Sequence, residues 1–174
     1  MIKSKCFFFY VSCIMLLLLV SLFTGCIRLV ERDGADKPDK PSPPPVTHED
    51  LVIQLERTAC FGKCPVYSLK IKGDGTVIYS GVQFVKITGI QEAKISMDAV
   101  DQLLMEFEKA DYFSLNDSYT KFGKSDMPSA NTSITIGGVT KEVKHYLGDS
   151  SAPKQLTELE NKIDEIVNSS QWIE

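Results

Sequence analysis

Cys60 and Cys64 stand four positions apart in the run Cys-Phe-Gly-Lys-Cys-Pro. Three kinds of chemistry take two cysteines at such a spacing. They can close a disulfide. They can serve as redox thiols or, with an imidazole added, hold copper, because thiolates and histidine suit both of its oxidation states. They can supply part of a zinc site. His145 is the one histidine beyond residue 48 and so the only imidazole a folded domain there could offer. Two cysteines and one histidine leave zinc a ligand short, and no carboxylate is spaced to complete the set.

The disulfide reading is local in its effect. Closing so small a loop removes only about 2 kcal/mol of chain entropy. It would fix a tight bend ahead of Val66, with Gly62 free to adopt an unusual φ and Pro65 setting the exit. The redox and copper reading has a resemblance behind it. A Cys-x-x-x-Cys-Pro motif with a distant histidine looks like the Sco family of copper chaperones, which resemble thioredoxin. In that fold the cysteines sit at a helix N-terminus, which lowers thiol pKa. Here the residues that follow, Val66 to Lys72, alternate like a strand, so the activating dipole is missing.

Other residues carry less. His145 alternates with Val143 and is expected on a covered sheet face, as a satisfied structural residue more readily than a base. Asp126, in Lys-Ser-Asp-Met-Pro-Ser, suits a loop where a carboxylate caps backbone N–H groups. No second carboxylate is spaced with it to split their pKa values. There is no Gly-x-Ser-x-Gly and no triad order. Gly73-Asp74-Gly75 is a turn and not a phosphate cradle, since no helix follows. Phe61, between the cysteines, is a candidate partner contact at an exposed bend.

The compartment decides which cysteine chemistry is open. Lys3 and Lys5 precede a long apolar run, the pattern of a secretory signal. Its end, Leu-Phe-Thr-Gly-Cys at 22–26, resembles a bacterial lipobox. That resemblance implies removal of residues 1–25 and lipidation of Cys26, which would anchor the chain to a membrane on its outer, oxidising side. An uncleaved membrane anchor is the alternative, and it gives the same topology. Cys6 and Cys13 would leave with the signal, so Cys60 and Cys64 remain as an even pair. Residues 26–48 form a lipidated cysteine and a tether that holds five of the eight prolines. Such a stretch is extended and does not bury itself. Net charge is −4, and without Lys3 and Lys5 there are 17 basic against 23 acidic residues. That balance excludes a nucleic-acid partner and offers no run of basic residues for acidic lipids.

Residues 49–174 read as one α+β domain. Leu51, Ile53 and Leu55 mark a half-buried strand. Tyr67, Leu69 and Ile71, then Val77 and Tyr79, flank the Gly73–Gly75 turn as a hairpin. Gln83–Gly89 and Gln91–Ser96 read as two shorter strands. Val100, Leu103, Leu104 and Phe107 make a helical stripe capped by Ser96 and ending near Ala110. Residues 114–130 read as a long loop. Asn131–Ile136 and Val139–Tyr146 form a second hairpin around Gly137–Gly138. A last helix starts near Ser151 and buries Leu156, Leu159, Ile163, Ile166 and Val167. The expected fold is an antiparallel sheet of about five to six strands with two helices on one face.

The cysteine motif (Cys60, Gly62, Cys64, Pro65, Tyr67), the turn (Gly73, Asp74, Gly75), Tyr112 with Phe113, Asp126 with Pro128, and Tyr146 with Gly148 together resemble an uncharacterised bacterial family. It is catalogued as a domain of unknown function, number 6438, and the resemblance runs over about residues 50–174. It brings no activity and no cofactor. The leading expectation is a non-enzymatic, lipid-anchored extracytoplasmic module that binds a protein or small molecule or supports the envelope. The alternatives are a thiol or copper protein using Cys60, Cys64 and His145, and an inhibitor of a secreted enzyme presenting Phe61.

Overall fold

Alternating burial along β1 (Val52–Arg57), β2 (Val66–Lys72) and β3 (Thr76–Gln83) sets the frame, because period-two patterning leaves a strand one apolar side to cover. The computed structural model describes residues 48–174 other than Phe122. The signal segment 1–25, Cys26 and the tether up to residue 47 lie outside the described residues. Four more strands follow: β4 (Gly89–Lys94), β5 (Ser118–Tyr119), β6 (Ser129–Ile136) and β7 (Val139–Tyr146). Helix α1 spans Met97–Lys109, α2 spans Lys154–Val167, and α3 is the single turn Ser170–Ile173.

The strands form one sheet in the order β4-β3-β2-β1-β6-β7-β5. The α+β class holds, with a seven-stranded sheet in place of the five to six strands expected. All neighbours are antiparallel except β5, which pairs parallel with β7. Register lines Tyr79, Leu69, Leu55, Thr132 and Val143 up across the sheet. All five are buried. Over this row lie α1, through Val100, Leu103 and Phe107, and α2, through Leu156, Leu159, Ile163 and Val167. The helices pack on each other, so both cover the same face.

Local chemistry explains the turns. Gly137 and Gly138 have φ of +55° and +77°, the left-handed pair that a two-residue hairpin demands. Ser96 accepts the Ala99 N–H at 3.2 Å and caps α1. Three segments differ from the pattern reading. Residues 114–130, expected as a loop, hold the short strand β5 and the first residues of β6. Residues 84–88 are a bend, because the N–H groups of Lys86 and Ile87 donate to the carbonyls of Ile173 and Trp172 and not to a strand. Helix α2 begins at Lys154, later than Ser151, because the Ser151 N–H and hydroxyl both donate to the Asp149 carboxylate in a local turn.

Candidate functional site

The eight residues 58–65 that join β1 to β2 fold into a bend closed by a Cys60–Cys64 disulfide, with the two Cα atoms 5.7 Å apart. The loop does not stand alone. The Phe61 N–H donates to the Asp126 carbonyl at 3.3 Å, and the Thr58 N–H to the Ser129 carbonyl at 3.0 Å. The Ser129 N–H returns a bond to the Thr58 hydroxyl at 2.8 Å. Two loops far apart in sequence are thus stitched edge to edge. The Phe61 side chain is 89% exposed. The left-handed residue here is Asp126, at φ +67°, and not Gly62 as the motif suggested. Asp126 contributes its carbonyl to the loop, and its side chain is exposed.

Behind the bend lies a second transverse row of the sheet. Register sets Tyr67 opposite Arg57, Arg57 opposite Ala130, Ala130 opposite His145, and His145 opposite Tyr119. Above this row α2 places Glu160 and Asp164 one turn apart. The Arg57 Nη2 donates to Asp164 Oδ2 at 2.9 Å, and its Nε to the same oxygen at 3.2 Å. The Tyr67 and Ser169 hydroxyls each donate to Asp164 Oδ1 at 2.7 Å. Four bonds on one carboxylate fix its orientation. Burial works against the Arg57 guanidinium, yet Asp164 beside it raises its pKa above the ordinary value. Burial first, and then Asp164, push the Tyr67 phenol well above its usual range, so it stays a donor.

Further along the row, His145 Nδ1 and Glu160 Oε1 share a hydrogen bond of 2.8 Å. Both side chains are buried, and Glu160 Oε2 has no hydrogen-bond partner among the described residues. Burial raises the Glu160 pKa, against the opposing pull of its bond to His145. The Tyr119 ring meets the His145 imidazole edge-on, with centroids 6.5 Å apart. His145 therefore faces the covered side, as its alternation with Val143 implied.

A cleft of about 260 Å³ opens between the disulfide loop and α2. Cys64, Pro65, Pro128, Leu147 and Ile173 form apolar walls, and Arg57, Tyr67 and Asp164 give it a polar floor. Such a cavity suits a small apolar group or a single inserted side chain. Of the cysteine pair only Cys64 lines it, and neither Phe61 nor His145 does. Among the described residues, no three His, Cys, Asp or Glu side chains converge as metal ligands would.

Arg57, Tyr67, Glu160 and Asp164 are functional candidates that motif reading passed over. A signal existed for Glu160. It lies four residues after Leu156 and three before Ile163, inside the buried stripe of α2. Asp164 follows one turn later on nearly the same face.

A family model described as a domain of unknown function (DUF6438) matches residues 51–167. No curated protein matches the chain.

Proposed function

This chain belongs to the DUF6438 family of unknown function, and from that premise we propose that it is a non-enzymatic binding module, lipid-anchored through Cys26 on the outer side of a bacterial membrane. One observation carries the reading. A disulfide-closed bend, braced by a second loop, holds Phe61 89% exposed, and the same bend lends Cys64 and Pro65 to a preformed cleft. Exposing a large aromatic to water forgoes burial worth roughly 1.5–3 kcal/mol. A rigid exposed aromatic is the kind of anchor that binding sites use. The cysteine pairing fits an oxidising compartment. The lipobox-like Leu22–Cys26 and the proline-rich residues 27–48 supply the anchor and the reach.

The polar row supports binding more than turnover. Asp164, on the cleft floor, already accepts four hydrogen bonds from Arg57, Tyr67 and Ser169, and Glu160 is buried on the sheet side of α2, so neither offers a free acid or base. A photo-crosslinking residue at position 61, compared in intact cells with one at Val139, tests the reading. Val139 is also exposed, at 63%, on a hairpin of different sequence. Adducts are expected from position 61 in excess of those from 139. Equal or absent adducts would contradict a dedicated contact. An adduct with one secreted enzyme would select the inhibitor version. The thiol or copper version instead requires stoichiometric copper binding by the purified chain through Cys60, Cys64 and His145.

A further inference from the structure

The two stitched loops bring together what the sequence keeps apart. No run of basic residues exists in the chain, yet Lys63 stands two positions from Phe61, and Lys124 two positions from Asp126, whose carbonyl holds the Phe61 amide. Lys63, Lys124 and Lys121 are all exposed. The ammonium groups of Lys63 and Lys124 enter no ion pair among the described residues. Met127 is exposed beside them, and the only carboxylate within the two loops is Asp126. Two loops joined through the Phe61–Asp126 bond thus each carry an exposed apolar side chain, Phe61 or Met127, and exposed lysines, on a chain whose net charge is −4.

We propose that this pair of loops is a tip that docks onto an anionic lipid surface, with Phe61 inserted at the interface and Lys63 and Lys124 on lipid phosphates. An aromatic ring with flanking lysines matches the headgroup boundary, where apolar bodies bury and ammonium groups stay at the polar level. The acidic remainder of the molecule does not prevent this. Screening acts over about 8 Å at physiological ionic strength, so a touching bilayer feels the charges of the tip. The backbone of the tip is fixed by the disulfide and by the Phe61–Asp126 bond, so little loop entropy is lost on contact. The inference rests on the anchored reading in one respect. Residues 27–47 would hold the domain near its membrane at an effective concentration on the order of millimolar, so a weak contact suffices.

The test uses the full chain as processed by cells, carrying Phe61→Trp, in vesicles of phosphatidylglycerol and phosphatidylcholine. Wild-type protein supplies the background, because Trp172 is buried and stacks on Tyr79 at 4.9 Å. The introduced indole should shift its emission to shorter wavelength and be quenched by brominated lipid. Both effects should weaken in pure phosphatidylcholine, in high salt, and with Lys63→Glu and Lys124→Glu combined. Phe61, Lys63 and Lys124 are exposed, so these changes leave the fold intact. A water-like, unquenched emission on anionic vesicles would overturn the proposal. So would protection that arises only when envelope proteins are added, which would assign the tip to a protein partner. Vesicle flotation separates the two readings: a chain that stays soluble sinks the anchor, whatever the indole reports.

Discussion

Glu160 is the most deeply buried carboxylate described. It faces His145 on β7, with Arg57 on β1 and Asp164 on its own helix nearby, and its Oε2 has no hydrogen-bond partner among the described residues. Its folded pKa is raised, chiefly by burial. A group shifted that way contributes stability that is full below its unfolded value, about 4.5, and is lost as pH climbs through the folded one. The stability of wild type minus that of Glu160→Gln should therefore fall as pH moves from mildly acidic to mildly alkaline. Thermal unfolding of both proteins across that range checks the slope, and a flat difference would mean that Glu160 titrates normally. Tyr67→Phe removes one donor from Asp164 and leaves Arg57 and Ser169 in place. A hydrogen bond to a carboxylate at 2.7 Å should cost about 1.5 kcal/mol, readable by chemical denaturation. Neither Arg57 nor Asp164 was legible as a pair beforehand. They are separated by 107 positions, and only the register of β1 against β2 and β6, with α2 laid across, makes them neighbours.

At the scale of elements, periodicity read β1, the β2–β3 hairpin, α1 and the β6–β7 hairpin closely, because each has one wet face and one covered face. Three places defeated it. Strand β5 is two residues long and pairs with β7 in parallel, too short for any pattern to register. Residues 84–88 alternate in hydropathy, yet their N–H groups are taken by the chain end at Trp172 and Ile173. Gly62 was expected to need an unusual φ, whereas an added Cβ there would meet the Cys60 sulfur at an ordinary 3.7 Å. The disulfide is itself a local device. Replacing Cys60 and Cys64 by serine should cost about 2 kcal/mol and loosen Phe61 while leaving the sheet as it is. Amide exchange resolved by residue would report this, with protection lost in residues 58–65 and kept in β1, β2 and β6. Loss of protection across the whole sheet would give the bond a larger structural role than its small loop allows.

Residues 48–174 present two kinds of surface. The helix-covered side is closed by an apolar core, and the polar row crossing it is buried at His145 and Glu160 but reaches the cleft at Arg57, Tyr67 and Asp164. The end of the sheet that carries residues 58–65 and 121–128 holds the cleft, the exposed aromatic and the lysines. Sequence located the cysteines and Phe61 but not the partner loop that braces them, since nothing in residues 121–128 signals contact with residue 61. The fold class was readable because hydropathy period is a property of each strand alone. The site was only half readable because it is made where distant strands meet. The state of the Cys60 and Cys64 sulfurs is read directly by alkylating the protein in intact cells, followed by mass spectrometry. The expected product is a peptide linked through Cys60 and Cys64 that takes up alkylating reagent only after reduction. Free alkylation of both cysteines without reductant would contradict the pairing.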